Sequence, residues 1–289
     1  MPNFRVGAVL ILLLASTTLI ACSPSQMHRE KLGCFRSQPL PVRSILQDKK
    51  ELFWPVAHRG GSEFGVPNSL TALQKAARSG LPFLEIDVRS SSDGKLYVFH
   101  DSKIRIETVL TTPEAYGKFF SALSNQEIQQ LMLIGSFESP PTLQSVFQNL
   151  SPFNSMLFLD VKGGWSITGR QTLSLAHQLG WGSRIVYQCY SAECVQTLSK
   201  EYPQTIFLIR VKKASKVAAA LHSDAQIVQF DLNDLSLATV EAVHRRGARV
   251  LVKTLNSEDT EKTWKTAHEL GVDLVLTSFP RKLWKKHSC

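Results

Sequence analysis

The sequence predicts an α/β fold, a (β/α)8 TIM barrel, on three observations. Short apolar runs alternate with segments of helical periodicity from residue 53 to the C-terminus, with no repeat and no linker between them. The apolar runs are rich in Val, Ile, Leu and Phe and alternate little, as in strands that are buried on both faces. The chain of 289 residues is 43% hydrophobic and 20% charged, which suits a globular protein with a sizeable core.

Nine segments have the character of strands, one more than a barrel of eight requires. The connection 89–95 between the second and third candidates is too short for a helical crossover, which needs about a dozen residues. Either these residues form a tight turn in an irregular excursion, or one candidate lies outside the barrel. The candidates are 54–58, 83–88, 96–100, 156–161, 184–189, 205–210, 226–231, 249–254 and 273–277.

Helical segments lie between most of the predicted strands, and several carry start or stop signals. Ser69 is a cap and Gly80 a stop for the first, and Ser124 with Glu127 forms a capping box for the second. Gly247 and Gly271 end the last two. The predicted helices are 69–79, 124–133, 142–150, 166–179, 191–201, 213–222, 236–246 and 257–270. A doubly wound sheet is the alternative fold, but its glycine-rich phosphate turn, G-x-G-x-x-G, is absent.

The first 21 residues form a targeting segment rather than part of the barrel. Arg5 is their only charge, and the apolar run that follows is too short for a comfortable membrane span. The run ends in Leu19-Ile20-Ala21-Cys22, which resembles the lipobox of bacterial lipoproteins, in which the cysteine is lipidated after cleavage. We therefore expect a signal peptide over 1–21, a lipid anchor on Cys22 and a polar tether over 22–52, with the domain over 53–289. Ser23 after the cysteine implies the periplasmic face of the outer membrane.

The charge and the cysteines restrict the partners and the covalent links. The net charge is +9 at pH 7, but the basic residues are spread along the chain without a nucleic-acid-binding signature. We expect no nucleic acid, and a basic face near a phospholipid surface instead. With Cys22 acylated, Cys34, Cys189, Cys194 and Cys289 remain, and the sequence does not choose among their three possible pairings.

Polar side chains lie at the ends of the first four strand candidates. In a barrel, these carboxyl ends of the strands form the active-site rim. The polar residues are His58-Arg59, Glu85 with Asp87, His100-Asp101 and Asp160 with Lys162. Taken singly, a strand-end histidine is more often a core or rim residue, an acid a helix cap, and a Lys or Arg a solvated cation. Their coincidence at four strand ends favours a common site.

The residue types at these strand ends suit a metal-assisted phosphate site. Glu85 and Asp87 share a face of one strand, and two carboxylates in an apolar barrel need a cation between them. With Asp160 as a third, oxygen ligands favour Ca²⁺ or Mg²⁺ over Zn²⁺. His58 and His100 would exchange protons. Arg59 and Lys162 would bind phosphate oxygens, and we expect Gly60 and Gly61 to keep side chains clear of a close-lying substrate.

The chain resembles the glycerophosphodiester phosphodiesterase family over nearly all of its length after residue 53. The resemblance rests on His58-Arg59-Gly60, Asn68, "LEIDVRSSSDGKLYVFHD" (84–101), "PPTLQSVF" (140–147), "LFLDVKGG" (157–164), "VKTLN" (252–256) and "GVDLVLTSFP" (271–280). It implies a TIM barrel with a small insertion after the third strand, at about 102–139 here. It also implies hydrolysis of glycerophosphodiesters to glycerol 3-phosphate and an alcohol with a divalent cation.

The same resemblance implies roles for individual residues. Glu85 and Asp87 would be metal ligands, His58 and His100 the general acid and base, and Arg59 and Lys162 the groups that hold the phosphate. Four positions depart from the family pattern. They are Pro67 in place of an acid, Asp160 in place of Glu, Lys253 in place of Trp and Ser278 in place of Asp. An active enzyme with altered substrate preference is the expectation.

Two other functions remain open. One is lysophospholipase D-like action on lysophospholipids, which share the glycerophosphodiester core; an apolar groove at the barrel mouth would favour it. The other is a non-catalytic lipoprotein that binds a phosphodiester, against which the intact pair His58 and His100 speaks, since binding alone does not need two titratable groups.

Overall fold

Eight parallel strands close into a barrel in the computed structural model of the chain, which describes residues 53–212 and 216–287. The barrel order is β1, β2, β6, β7, β8, β9, β10, β11, and β1 closes it by pairing with both β2 and β11. The predicted TIM barrel is confirmed. The strands in chain order are β1 Trp54–Ala57, β2 Phe83–Ser90, β3 Leu96–Val98, β4 Val109–Leu110, β5 Met132–Leu133, β6 Met156–Val161, β7 Ile185–Cys189, β8 Ile206–Arg210, β9 Ile227–Asp231, β10 Arg249–Lys253 and β11 Leu274–Thr277.

The helices follow the predicted order with shifted ends. Ser69 caps α1, and Ser124 and Glu127 form the predicted capping box on α2. The segment 124–133 was predicted too long, because Met132 and Leu133 form β5, and the C-terminal α9, which begins at a proline, was not predicted. The helices are α1 Leu70–Arg78, α2 Asn125–Gln129, α3 Leu143–Leu150, α4 Arg170–Gln178, α5 Ala192–Glu201, α6 Val217–Leu221, α7 Leu237–Arg245, α8 Glu261–Glu269 and α9 Pro280–His287.

The third strand candidate lies outside the barrel. β3 folds back antiparallel onto the end of β2, with Val88 opposite Val98 and Ser90 opposite Leu96. Residues 91–95 form the turn, and Gly94 has φ +80° there. His100 therefore does not follow a barrel strand, and the interpretation of four neighbouring barrel strands was wrong in this respect. The hairpin nevertheless keeps that segment against the rim, because the Phe99 amide donates to the Asp87 carbonyl at 3.0 Å.

The expected insertion follows β3, the third strand in chain order. It has a small core of its own around Phe99, Phe120 and Ile128. β4 and β5 form a two-stranded ribbon across it, in which Val109 faces Leu133 and both are buried. Leu110 faces Met132 on the other side of the ribbon, and these two are 54% and 38% exposed. One face of the ribbon is therefore apolar and open to solvent.

The barrel interior changes from apolar to polar along its axis. Inward-facing side chains such as Phe83, Phe158, Leu208 and Leu251 fill the lower part. Two residues further along each strand, the same inward face carries Glu85, Asp160, Arg210 and Lys253 in place of apolar residues. The strand period therefore places charged groups together at the carboxyl ends of the strands, above a packed core.

Several sequence-based expectations fall on residues outside the described ranges. The signal peptide, the tether and the lipid anchor on Cys22 lie within 1–52, and Cys34 and Cys289 are also outside. Of the four cysteines whose pairing the sequence left open, Cys189 and Cys194 are joined by a disulfide. No helix of the described ranges has the length and apolar character needed to cross a membrane.

Asp259 links three elements at the carboxyl end of the barrel. Its carboxylate accepts hydrogen bonds from Thr254 after β10, Trp264 in α8, and Thr277 and the Ser278 amide at the end of β11. Burial raises the pKa of this carboxyl in spite of the four donors. The rim on this side is thus held by one side chain.

Asp259→Asn is expected to destabilise the fold by about 2 kcal/mol, because the amide presents a donor where the carboxylate accepts. The free energy of unfolding in urea measures this. Asp234→Asn, at an exposed aspartate, is the matched control and should change stability by less than about 0.5 kcal/mol. Equal effects of the two substitutions would contradict the assigned role.

Candidate active site

Three buried carboxylates form the centre of the candidate site. Asp87 on β2 and Asp160 on β6 are register partners, and Glu85 lies two residues before Asp87 on the same face. Oxygens of the three side chains all lie within 4.8 Å of one another, and the residues are 6%, 2% and 9% exposed for Glu85, Asp87 and Asp160. Asp160 therefore reaches the group although it is shorter than the glutamate of the family pattern.

Two cations contact these carboxylates. Lys162 Nζ lies 2.9 Å from Asp87 Oδ1 and 2.5 Å from Asp160 Oδ2. Arg59 Nε lies 3.0 Å from Asp87 Oδ2, although its N–H does not point at an acceptor among the described residues. The Arg59 amide donates to Glu85 Oε2 at 2.9 Å. The residues predicted to hold phosphate thus neutralise the carboxylates next to the predicted phosphate position.

Asn68 belongs to the site, although sequence reasoning gave it no role beyond the resemblance. It is 3% exposed, and its Nδ2 donates to Asp87 Oδ2 at 2.9 Å. Both Asn68 and Arg59 have left-handed backbone conformations, with φ of 65° and 52°. Such values are uncommon outside glycine, and here they turn the loop after β1 so that both residues reach Asp87.

Tyr190 is a second residue that sequence reasoning missed. Its hydroxyl donates to Asp160 Oδ1 at 2.7 Å and accepts from Gln188 Nε2 at 2.7 Å. Tyr190 directly follows β7, so the rule that located the other strand-end residues would have found it. Burial and the Asp160 carboxylate raise the pKa of Tyr190, so the hydroxyl stays a donor at neutral pH.

The electrostatic balance among the carboxylates is uneven. Burial, together with Asp87 and Asp160, raises the pKa of Glu85 well above its ordinary value. Burial would also raise the pKa of Asp87, but the Lys162 and Arg59 cations lower it overall. Lys162 shows the reciprocal effect, because Asp87 and Asp160 outweigh its burial and raise its pKa. The crowded Glu85 is the group that gains most from an added positive charge.

These carboxylates fit a divalent cation. Three buried oxygen donors converge within 4.8 Å. Burial, and then the Asp87 and Asp160 carboxylates, raise the pKa of Glu85, and a bound cation would offset both effects. Hard oxygen donors suit Ca²⁺ or Mg²⁺. The convergence of Glu85, Asp87 and Asp160 agrees with the predicted metal ligands, and the residues that would hold the ion are these three.

The two histidines lie within electrostatic reach of Asp87, in different environments. Burial, and then the Arg59 cation, lower the pKa of His58 to about 3, with further lowering from Lys253 and His100. His58 is therefore neutral at neutral pH. His100 is more exposed, and its Nδ1 lies 2.8 Å from Asp101 Oδ1. Arg89 donates twice to the His100 carbonyl, at 2.9 and 2.7 Å, and fixes the backbone of this residue.

The departures from the family pattern have different surroundings. Pro67 is exposed, next to the buried Asn68. Ser278 donates its amide hydrogen to the Asp259 carboxylate.

The two glycines after Arg59 are needed for packing, which corrects the expectation that they clear space for a substrate. A Cβ on Gly61 would lie 2.8 Å from Pro280 Cγ, and one on Gly60 would lie 3.1 Å from Leu73 Cδ2.

Comparison with known proteins gives one family. The model of the Glycerophosphoryl diester phosphodiesterase family matches residues 58–282. Glycerophosphodiester phosphodiesterase 1 of Mus musculus is 30% identical over 170 residues, which are 55% of this chain and 50% of that protein. The chain thus spans about half the length of this relative. Lysophospholipase D GDPD1 of Homo sapiens is 24% identical over 288 residues, covering 82% of this chain and 87% of that protein.

Solved structures share the fold. A glycerophosphodiester phosphodiesterase from Parabacteroides distasonis has a TM-score of 0.69 at 19% identity, covering 82% of this chain and 97% of that one. An Oleispira antarctica phosphodiesterase, solved in complex with the product sn-glycerol-3-phosphate, has a TM-score of 0.68 at 22% identity. Its match covers 80% of this chain and 95% of that one. At these identities the likeness supports the barrel alone.

His58→Gln is expected to make the fold less sensitive to acid. The folded-state pKa of about 3 lies below the unfolded value of about 6.5, so neutral His58 contributes stability above pH 6.5 that is lost as the pH falls toward 3. Between pH 6.5 and 4.5 the wild type should lose more free energy of unfolding than the variant, by about 1–2 kcal/mol. Urea unfolding in EDTA measures the free energy of unfolding of wild type and variant at each pH. His222→Gln, at an exposed histidine, is the control. Parallel losses in wild type and His58→Gln would refute the burial of a neutral imidazole.

Proposed function

Because the chain belongs to the glycerophosphoryl diester phosphodiesterase family, we propose that it hydrolyses glycerophosphodiesters to glycerol 3-phosphate and an alcohol. One observation carries the proposal. Three buried carboxylates, two cations and two histidines meet at the carboxyl end of the barrel, and such a group can bind a phosphodiester and move protons around it.

The cations of the site would receive the phosphate. Lys162 and Arg59 lie against Asp87 and offer a point charge and a planar fork. A divalent cation on Glu85, Asp87 and Asp160 would add Lewis-acid stabilisation of the charge on the phosphoryl oxygens. Tyr190 and Asn68 would hold two of these carboxylates in orientation by their hydrogen bonds.

The histidines would carry the protons. His58 is neutral, so it can accept the proton of the attacking hydroxyl or water. His100 faces the Asp101 carboxylate through Nδ1, which would leave Nε2 for the substrate and stabilise the ring when it is charged. His100 would then give a proton to the leaving alkoxide.

Lysophospholipids are a second candidate substrate, favoured by the exposed face of the insertion. Leu110 and Met132 lie on one side of the β4–β5 ribbon, and Ile134 directly follows β5. These three residues are 36% to 54% exposed, and Phe137 just beyond is 98% exposed. The insertion contacts the first turn of α1, since Glu138 accepts from the Thr71 amide, and Val66 of the loop after β1 packs on its core. The insertion therefore lies at the same end of the barrel as the carboxylates. An exposed apolar face suits an acyl chain or a lipid surface. Lysophospholipase D GDPD1 of Homo sapiens is among the relatives.

Lipid anchoring on Cys22 at the periplasmic face of the outer membrane is part of the same proposal. Its support is the sequence of residues 6–23, an apolar run followed by Leu-Ile-Ala-Cys and then Ser. An anchored barrel would act on glycerophosphodiesters or lysophospholipids next to the membrane.

Hydrolysis of glycerophosphocholine by the described domain should need a divalent cation and both histidines. We expect EDTA and Glu85→Gln each to remove activity, and His58→Ala and His100→Ala to lower kcat by roughly 10²–10⁴-fold. Release of glycerol 3-phosphate in Ca²⁺ or Mg²⁺ measures this, and Glu201→Gln, on the outer helix α5, is the control. Full activity in EDTA would refute the metal role. Absence of turnover of any phosphodiester with any metal would favour the non-catalytic alternative.

Substitution of the apolar ribbon should separate the two candidate substrates. Leu110→Ser combined with Phe137→Ser is expected to lower the rate on lysophosphatidylcholine several-fold, because apolar contact with the acyl chain is lost. The rate on glycerophosphocholine should stay the same. Choline release from both substrates measures the ratio, and Leu237→Ser, at an exposed leucine of α7, is the control. An unchanged ratio would exclude the ribbon from substrate binding.

A further inference from the structure

The half of the barrel mouth opposite the carboxylates has charged groups that the proposed chemistry does not use. Arg210, Asp231 and Lys253 end β8, β9 and β10. Each lies an even number of residues beyond an inward-facing apolar residue, namely Leu208, Ile227 and Leu251, so all three belong to the inner face of the barrel. They form a polar layer in the mouth, across from the carboxylate site.

The cations of this layer are incompletely paired. The Arg210 side chain is 7% exposed, and its Nη2 contacts Asp231 Oδ1 at 2.6 Å. Its Nη1 is buried and has no acceptor among the described residues. Lys253 is half-buried, and within the described part of the chain its ammonium makes neither an ion pair nor a hydrogen bond. Two positive charges thus share one carboxylate, which is itself 40% exposed.

The direction of the pKa shift of Lys253 agrees with an ammonium group that has no partner within the ranges that the structure describes. Burial, and then the neighbouring Arg210 cation, lower the pKa of Lys253. A paired lysine would show the opposite direction, as Lys162 does between its two carboxylates. Lys253 also affects the pKa of His58, so it lies within electrostatic reach of the proposed reaction centre. An anion between Lys253 and Arg210 would satisfy both groups.

The chemistry of the substrate decides where such an anion can come from. The glycerol arm of a glycerophosphodiester carries only hydroxyl groups, and the phosphate itself belongs at Lys162 and Arg59. A second negative charge can therefore lie only on the alcohol arm. Quaternary ammonium alcohols would be repelled by the same two cations.

We propose that Lys253 and Arg210 form a subsite for an anionic group on the alcohol arm, so that the preferred substrates are glycerophosphodiesters whose alcohol carries a further phosphate. This inference rests on the proposed function and names its substrate class. Lys253 is the specificity-determining residue of the subsite. Arg210 is the buried partner that Asp231 holds in place.

The test compares two diesters that differ in the charge of the alcohol. Bis(glycerophospho)glycerol supplies a second phosphate, and glycerophosphocholine supplies a quaternary ammonium. We expect kcat/KM of the wild type at low salt to favour the first by about tenfold, as one partly exposed charge contact allows. Lys253→Met should bring the ratio close to one, and Lys253→Glu should reverse it.

Two matched variants separate the effect of the charge at position 253 from that of the side-chain shape there and from that of the net charge of the protein. Lys253→Arg keeps the cation and should keep the preference. Lys265→Met removes an exposed lysine on the outer helix α8 and should also keep it. A wild-type preference for glycerophosphocholine, or equal ratios in Lys253→Met and Lys265→Met, would overturn the subsite.

Calorimetric binding of the same two diesters distinguishes this inference from the proposed function. Selective binding that depends on Lys253, without hydrolysis, would support the subsite and refute the enzyme. Hydrolysis without selectivity would refute the subsite and leave the enzyme. If neither hydrolysis nor selective binding is observed, both the subsite and the proposed function are refuted.

Discussion

The main constraint on the structure is the burial of three carboxylates at one end of an apolar barrel. Burial of an ionised carboxylate is unfavourable unless opposite charges or donors compensate for the lost water. Asp87 receives the most compensation, from Lys162, Arg59 and Asn68. Asp160 has Lys162 and Tyr190. Glu85 accepts one hydrogen bond from a backbone amide and has two acidic neighbours. The unfavourable electrostatic energy of the cluster is therefore greatest at Glu85. That imbalance is the physical reason to expect a cation beside Glu85.

The same requirement shapes the loop after β1. The Arg59 amide must reach Glu85 while its side chain reaches Asp87, and Asn68 must reach Asp87 from nine residues later. Both residues adopt left-handed conformations to do so, and the Asn68 amide donates to the Arg59 carbonyl at 2.9 Å. The loop is then fixed from behind, where Gly60 packs on α1 and Gly61 packs on α9. Backbone strain at the site is thus offset by packing outside it.

The sequence was sufficient for the barrel and for the charged strand ends, because both follow from strand periodicity and from where parallel strands end. It left the extra strand undecided, because β3 and a barrel strand have the same apolar composition and only the short connection separates them. Asn68 and Tyr190 were missed as site residues for other reasons. An asparagine in a loop has no chemical signature until the fold places it against a carboxylate. Tyr190 directly follows β7, but its neutral hydroxyl is not one of the charged groups that were sought at the strand ends. The fold also supplied the disulfide between Cys189 and Cys194, which spacing alone could not select.

Charge balance connects the two halves of the mouth. Around the cluster, the carboxylates Glu85, Asp87 and Asp160 and the cations Lys162 and Arg59 leave one negative charge when all are ionised. A divalent cation would reverse that sign, and the single charge of a phosphodiester would then cancel it. On the other half, Arg210 and Lys253 exceed Asp231 by one positive charge. Glu85 of the first half acts on Lys253, but a divalent cation bound to the three carboxylates would cancel that attraction. Because these groups lie in a partly desolvated mouth, the excess is not fully screened by water. A diester with one negative charge would therefore leave the mouth positive, whereas a diester with a second anionic group would leave it neutral.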